Sequence, residues 1–235
     1  MRVGLVPLEV RPQLAANLAR MVSWANRLAD EGVRIVVVPE ACLTGLVNDD
    51  DPARDLPLGS TLPGPVTEVL GTVARGRGIL LAFGLLERDE ERLFDTAVLL
   101  DERGEVALRY RRITPGWHGR LATPSVYGQG YDLPVAETSI GRVACLLCGD
   151  LFDDDLADRV HDVAPDWLLY PLWRSMDGAP TPRRWAEEEE AAYAARVARV
   201  GCRTLMVNAQ ADASMAGGAF GGAWVRGRDG AVRAE

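Results

Sequence analysis

Short apolar runs alternate with amphipathic stretches along most of the chain. Residues 12–30 carry apolar side chains at helical spacing, and residues 65–75 repeat that pattern. The runs VRIVVVPE, ILLAFGLLE, RVACLLCGD and DWLLYPLW are short and almost continuously apolar, which is typical of strands buried on both faces. The pattern predicts an α/β fold in which strands and helices follow one another.

The rest of the pattern supplies a hairpin and two later helices. LFDTAVLL and EVALRYRR are joined by the turn DERG, which predicts two antiparallel strands. Residues 154–163 and 183–200 are predicted as helices, and RTLMVNAQ and GAWVRG as the last strands. Carboxylate runs at 48–55 and 153–155 lack the ligand spacing of a calcium loop, so we interpret them as a solvated loop and a helix start.

Composition narrows the class of protein. Hydrophobic residues make up 48% of the chain and charged residues 26%, and the net charge of −8 argues against nucleic acid and anionic membranes as partners. No apolar run is long enough to span a membrane, and the N-terminus lacks the features of a signal peptide. No stretch has the composition of a linker. We therefore expect a cytoplasmic protein with reduced cysteines, folded as a single domain over residues 1–235.

The motif CLLC places Cys145 and Cys148 at the spacing of half a zinc site. The chain has no second such pair, and residues three apart in a strand point to opposite faces. We therefore predict no metal and no cofactor. On this interpretation Cys145 is buried, and Cys148 needs a separate explanation.

Two reactive residues come directly after predicted buried strands, where an α/β sheet usually opens its site. Glu40 follows VVVP, and a glutamate is costly to bury there without a role. Cys148 is followed by Gly149, and a tight turn at this point would expose the sulfur and direct backbone N–H groups at a carbonyl oxygen. The two residues suit a base and a nucleophile. On spacing alone, a buried thiol and an incidental carboxylate at a sheet edge remain the alternative.

Four blocks in order, VVVPEACLTG, FDTAVLLDERGEVALRYRR, GRVACLLCGDLF and DWLLYPLW, resemble the nitrilase, or carbon–nitrogen hydrolase, superfamily. The resemblance covers nearly the whole chain. It implies a four-layer α-β-β-α sandwich, which in this superfamily usually pairs face to face as a homodimer. It also implies cleavage of amides, carbamoyl compounds or nitriles by a Glu–Lys–Cys triad, through a thioester or related covalent intermediate.

By position, Glu40 matches the general base of that triad and Cys148 the nucleophile, with Gly149 giving backbone support to the oxyanion. The lysine belongs at the last basic residue of RYRR, which is Arg112; the chain has no lysine, and all 26 basic residues are arginine. Arginine keeps the positive charge but is longer and planar, and it does not give up its proton. We expect Arg112 and the backbone N–H groups to favour the thiolate of Cys148.

Three departures from the family pattern concern acid–base groups and the end of the chain. Between Glu105 and Glu137 the only carboxylate is Asp132, where relatives often have another glutamate. Thr114 stands where a histidine is common. We interpret the nearby His118 as a loop residue without a catalytic part; the alternative is that it supplies the missing acid–base function. The chain also ends earlier than its relatives usually do.

Two hypotheses of different class follow. The first is a hydrolase of a small amide or N-carbamoyl compound, with Cys148 as nucleophile, Glu40 as base and Arg112 as the substitute cation. The second is a degenerate member of the family that binds a small molecule or a partner protein without turnover. Retention of Glu40 and Cys148 favours the first hypothesis, and the missing acid–base residues favour the second.

Overall fold

The computed structural model describes residues 1–46, 50–176, 181–215 and 218–235. Its strands are β1 Val3–Leu5, β2 Glu9–Val10, β3 Ile35–Val37, β4 Leu80–Asp89, β5 Arg92–Leu100, β6 Val106–Arg111, β7 Ala136–Thr138, β8 Gly141–Cys145, β9 Trp167–Leu172, β10 Arg203–Asn208, β11 Gln210–Ala211, β12 Ala223–Arg226 and β13 Val232–Ala234. Its α-helices are α1 Leu14–Asp30, α2 Pro52–Asp55, α3 Pro65–Arg77, α4 Asp154–Val163, α5 Pro182–Arg184 and α6 Glu190–Val200. Turns of 3₁₀-helix occupy Leu56–Leu58 and Cys148–Phe152, and a π-helical turn occupies Trp185–Glu189.

Two mixed sheets form the centre of the molecule. The first has the strand order β1-β3-β4-β5-β6, and the second β13-β12-β10-β9-β8-β7. In the first sheet β1, β3 and β4 are parallel, and β4, β5 and β6 form an antiparallel meander. In the second sheet β8, β9 and β10 are parallel. The parallel strands of each sheet therefore all end at one edge, which is where side chains after a strand are brought together.

The layers follow from the alternation of side chains along the strands. On one face of the first sheet, Ile35, Leu80 and Leu99 pack against the second sheet, which α4 and α6 cover from outside. On the opposite face, Val36 and Leu81 pack against α1 and α3. The result is the four-layer α-β-β-α sandwich that the resemblance implied.

Most of the elements that the pattern predicted are confirmed. The hairpin LFDTAVLL–EVALRYRR is β5 and β6, which pair in antiparallel register. The carboxylate run at 153–155 begins α4, with Asp153 accepting a hydrogen bond from Leu156 N–H at 2.9 Å. In the other carboxylate run, residues 48 and 49 lie outside the described residues. None of the helices in the described ranges has the length and apolar character needed to cross a membrane.

The predicted helix at 183–200 differs from expectation. It is interrupted by the π-helical turn, in which the N–H of Glu190 bonds to the carbonyl of Trp185, five residues back. This extra residue per turn changes which side chains face the sheet. Trp185 stacks on Trp224 with 4.8 Å between ring centroids, and Glu189 forms a two-point ion pair with Arg174.

Candidate active site

The residues that the sequence singled out lie at the ends of strands from both sheets. Glu40 follows β3 and Arg112 follows β6, both in the first sheet. Cys148 comes after β8, and Trp173 directly follows β9, both in the second sheet. Hydrogen bonds join Glu40 to Arg112 and to Trp173, so the two sheets meet at this point. The structure therefore brings Glu40, Arg112 and Cys148 into one cluster.

Glu40 is fully buried because the chain bends sharply at the end of β3. Ala41 has a left-handed backbone with φ of 44°. Gly84 of β4 allows the close crossing, since a Cβ there would lie 2.5 Å from the Cα of Glu40. The N–H of Gly84 donates to the carbonyl of Pro39 at 3.0 Å, which fixes the segment against β4. A residue with a side chain at position 84 would push Glu40 out of place.

Both carboxylate oxygens of Glu40 have a donor. Nη1 of Arg112 lies 3.0 Å from Oε1, and the backbone N–H of Trp173 lies 2.5 Å from Oε2. A buried carboxylate is tolerated when a cation and further hydrogen bonds compensate its lost hydration. These two contacts supply both, and they fix the orientation of the carboxylate.

Arg112 is 3% exposed, and three hydrogen bonds hold the residue, two of them from its guanidinium. Besides Nη1, Nε donates to Oγ1 of Thr114 at 3.2 Å, and the backbone N–H donates to the carbonyl of Asp95 at 2.8 Å. Although burial disfavours the cation, the carboxylate of Glu40 and the other nearby acids raise the pKa of Arg112 above its ordinary value. Arg112 is therefore charged at any physiological pH.

The third guanidinium nitrogen, Nη2, faces the turn that carries Cys148. It lies 2.6 Å from the point that a Cβ at Gly149 would occupy, and 3.0 Å from the corresponding point at Gly116. Within the described part of the chain Nη2 donates no hydrogen bond. The two glycines thus make room for the guanidinium and leave one of its donors beside the turn that carries Cys148.

Cys148 occupies a strained turn, as the sequence suggested. Its φ is 39°, in the left-handed region, and this half-buried residue begins the 3₁₀ turn Cys148–Phe152. Sγ lies 3.8 Å from the carbonyl oxygen of Trp173, and the carbonyl of Cys148 accepts the hydroxyl of Tyr170 at 2.5 Å. Strain of this kind persists where surrounding contacts hold it.

The prediction that Arg112 and the backbone N–H groups favour the thiolate of Cys148 is wrong. Burial, and next the carboxylate of Glu40, raise the pKa of Cys148 to about 12. The charge of Arg112 lowers this pKa, but its effect is smaller than theirs. Cys148 is therefore a thiol at neutral pH and needs a base to accept its proton. Of the carboxylates that raise the pKa of Cys148, Glu40 has the largest effect.

Sequence reasoning missed the residues that hold the cluster together. Asp150 is buried and accepts the Tyr110 hydroxyl at 2.6 Å, the N–H of Thr114 at 2.8 Å and the N–H of Leu147 at 3.2 Å. Burial raises the pKa of Asp150, while the Tyr110 hydroxyl and the Thr114 N–H lower it in part. Asp150 thereby ties the Arg112 loop to the Cys148 turn. The carboxylate in CGD was the available signal in the sequence.

His118 and Cys145 contribute differently. Among the described residues, His118 forms hydrogen bonds with the carbonyl of Gly119 and the side chain of Gln129, at 2.9 Å each, and its ring packs against Trp117 and Tyr127. None of these contacts joins it to Glu40, Arg112 or Cys148. Cys145 is buried in the core between the sheets, so the two sulfurs of CLLC face different surroundings.

Comparison with known proteins identifies the family. A family model described as carbon–nitrogen hydrolase matches residues 2–218. A nitrilase of Paraburkholderia phymatum is 29% identical in an alignment 163 residues long, which covers 64% of this chain and 46% of that protein. Omega-amidase NIT2 of Danio rerio is 27% identical in an alignment 191 residues long, which covers 76% of this chain and 65% of that protein. The chain thus spans about half the length of the nitrilase.

Solved structures show the same fold. The carbon–nitrogen hydrolase from Helicobacter pylori G27 superposes with a TM-score of 0.83 at 17% identity, covering 99% of this chain and 84% of that chain. An amidase from Nesterenkonia sp. gives 0.76 at 22% identity, with the same two coverages. Because the family model spans most of the sequence, this chain belongs to the carbon–nitrogen hydrolase family.

Proposed function

We propose that this protein hydrolyses the carbon–nitrogen bond of a small amide or N-carbamoyl compound through a thioester on Cys148. The observation that carries the proposal is the link through Trp173. Its N–H donates to Glu40 at 2.5 Å, and its carbonyl oxygen lies 3.8 Å from Sγ of Cys148. A base, a thiol and a cation are thereby held in one cluster, as acyl transfer requires.

In the first half of the reaction, Glu40 accepts the Sγ proton while the sulfur attacks the carbonyl carbon. The resulting oxyanion is stabilised by Nη2 of Arg112 and by the backbone N–H of Gly149. Glu40 then returns the proton to the leaving nitrogen, the carbon–nitrogen bond breaks, and ammonia or an amine departs. The acyl group remains on sulfur as a thioester.

In the second half, Glu40 accepts a proton from water as the water oxygen attacks the thioester carbon. The carbon–sulfur bond breaks, Cys148 regains a proton from Glu40, and the acid is released. Arg112 takes the part of the family's lysine as a fixed positive charge. Since its guanidinium does not deprotonate, Glu40 performs every proton transfer in this sequence.

The relatives support a carbon–nitrogen bond as the target, since they comprise nitrilases and omega-amidases. A solved structure of a glutamate-to-glutamine mutant of an amidase from Nesterenkonia sp. shows the result of Michael addition of acrylamide at the active site cysteine. Acrylamide is therefore a suitable covalent probe for Cys148 in a Glu40→Gln variant.

The test is ammonia release by the purified chain from a panel of aliphatic amides, N-carbamoyl amino acids and nitriles. We expect turnover with at least one amide or carbamoyl compound, an acyl adduct on Cys148 by intact mass, and loss of both in Cys148→Ala. Binding without turnover across the panel, with no adduct in wild type, would favour the degenerate family member instead.

We further propose a cytoplasmic homodimer that needs no cofactor. The support is the acidic composition, the family's usual pairing and the four free cysteines Cys42, Cys145, Cys148 and Cys202. Free thiols are typical of a reducing compartment.

A further inference from the structure

Asp95 is a fully buried acid beside the catalytic cluster. It lies in β5 opposite Leu86 of β4, and the carboxyl group points towards Arg112, with Oδ2 3.6 Å from Nη1. Neither side-chain oxygen has a hydrogen-bond partner among the described residues. A buried carboxylate without donors is costly, because its lost hydration is not replaced.

One guanidinium nitrogen serves two acids. Nη1 of Arg112 is 3.0 Å from Oε1 of Glu40 and 3.6 Å from Oδ2 of Asp95. Two ionised carboxylates would face a single positive charge in a buried site. Burial, and next the charge of Glu40, raise the pKa of Asp95 well above its ordinary value, and Arg112 offsets only part of this.

The other groups around Asp95 do not relieve this imbalance. Asp150 is a further acid, but its oxygens are bonded to Tyr110, Thr114 and Leu147. The nearby cysteines, Cys145 and Cys148, add no positive charge. The ionisable side chains that face Asp95 are Glu40, Arg112, Cys145, Cys148 and Asp150.

We propose that Asp95 and Glu40 share one proton next to Arg112, so that the two carboxyl groups together carry a single negative charge. Two ionised carboxylates are only acceptors and cannot bond to each other, whereas a proton on Asp95 makes it a donor to Glu40. Asp95 is thus a positioning residue. It keeps the Glu40–Arg112 pair electrically balanced and takes no part in bonding to the substrate.

The catalytic consequence rests on the proposed function. At rest the carboxyl pair holds one proton and Cys148 holds another. When the thiol proton moves to Glu40, both carboxyl groups are neutral, and the charge of Arg112 faces the sulfur and the developing oxyanion unopposed. If Asp95 were ionised, an anion would remain beside Arg112 at that moment and weaken its effect.

The first experiment needs no catalytic activity. Denaturant unfolding of wild type and Asp95→Asn is measured between pH 4 and 9. Asp95 holds its proton in the native state above its unfolded pKa, so the native state binds more protons, and rising pH destabilises wild type until the folded pKa is passed. The amide of Asp95→Asn cannot ionise. The folding equilibrium constant of the variant relative to wild type should therefore rise by up to about tenfold per pH unit within that window.

Asp101, directly after β5, is the matched control. Burial alone would raise the pKa of Asp101. The backbone N–H groups of Glu105 and Arg103 donate to its carboxylate, as does the Arg103 side chain, and together with the charge of Arg103 they lower the pKa below its ordinary value. Asp101 is therefore ionised in both the folded and the unfolded state over nearly all of pH 4 to 9, and the stability of Asp101→Asn should run parallel to that of wild type above about pH 5. The proposal is overturned if the free energies of unfolding of wild type and Asp95→Asn stay parallel across the pH range. It is also overturned if Asp95→Asn becomes less stable relative to wild type as pH rises.

Infrared difference spectroscopy covers the case in which Asp95→Asn fails to fold. At neutral pH the carbonyl band of a protonated carboxyl group should be present in wild type and in Cys148→Ala. It should be lost in Glu40→Gln, because Arg112 then faces one acid, and Asp95 ionises against it. No such band in wild type, or a band that persists in Glu40→Gln, contradicts the shared proton.

A catalytic readout separates this proposal from the proposed function. In an active enzyme, kcat/KM of wild type should fall at alkaline pH as the shared proton is lost, and Asp95→Asn should lack that fall. If kcat/KM of Asp95→Asn falls at alkaline pH as it does in wild type, Asp95 has no role in catalysis. If the protein has no activity but still shows the stability slope and the infrared band, the proposed hydrolase function is wrong and the proton shared by Asp95 and Glu40 is supported.

Discussion

The backbone N–H of Trp173 lies 2.5 Å from Oε2 of Glu40, although 133 residues separate the two in sequence. This bond joins the end of a strand in the second sheet to the end of a strand in the first. It also points one oxygen of Glu40 at the backbone that carries the Cys148 contact. The position of the proposed base is therefore set by the packing of the two sheets.

Glu40→Gln should keep the fold and lose turnover. Glutamine can still accept the Trp173 N–H, but it cannot accept the thiol proton, and loss of a general base typically lowers kcat by about 100- to 10,000-fold. Glu87→Gln is the control, because Glu87 is also buried and paired with arginines, Arg109 and Arg111. Steady-state kinetics should show kcat preserved in the control; equal losses in both variants would contradict the role of Glu40.

Arg112→Lys should lower turnover if the cluster is adapted to a guanidinium. The ammonium cannot reach Glu40, Thr114 and the thiol turn together, and loss of one oxyanion donor costs about 2.7–4 kcal/mol, or roughly 100- to 1,000-fold in rate. If instead wild type is inactive and Arg112→Lys gains turnover, the cluster has decayed from its ancestral function. Equal and measurable rates in both proteins, abolished by Cys148→Ala, would show that charge alone suffices.

Gly149→Ala should displace Arg112 without affecting the backbone. The new Cβ would lie 2.6 Å from Nη2 and 3.2 Å from Oγ1 of Thr114, so the end of the Arg112 side chain must shift. We expect kcat to fall by up to about 100-fold, since an oxyanion donor is moved. The control Gly76→Ala in α3 meets no atom within 4 Å and should stabilise the helix by roughly 0.5–1 kcal/mol. Full activity in Gly149→Ala would exclude Nη2 from the reaction.

Alkylation of Cys148 should be slow at neutral pH and accelerate steadily with rising pH. The pKa of about 12 leaves little thiolate at pH 7, so the rate should increase about tenfold per pH unit up to pH 10. Cys148 should react before Cys42, Cys145 and Cys202, which are all buried. Peptide mass mapping measures both. A plateau near pH 7 would mean that the thiolate is favoured after all.

The homodimer is checked by light scattering. We expect a dimer mass at micromolar concentration, since the family usually pairs through a helical face. Only monomer at high micromolar concentration would contradict it.

The sequence predicted those parts of the structure that depend on local pattern. Glu40 and Cys148 could be found because each follows a buried apolar strand, and Arg112 only because a resemblance assigned a cation to RYRR. The supporting contacts could not be predicted. Asp150 and Thr114 lie 36 residues apart, and Trp173 meets Glu40 across the two sheets.

The pKa of Cys148 was misjudged for a related reason. The expectation counted Arg112 and the backbone donors but not the depth of the turn or the charge of Glu40, which depend on tertiary packing. Asp95 was passed over because a single acid within LFDTAVLL does not alter the apolar pattern of the strand.

The division of the cluster between two sheets also has a kinetic meaning. Each sheet forms from strands near in sequence, whereas Glu40 and Trp173 meet only when the sheets dock, and such distant contacts form slowly in folding. During refolding from denaturant, secondary structure should thus recover before any capacity for turnover. The delay between the two signals would measure how long the two sheets take to dock.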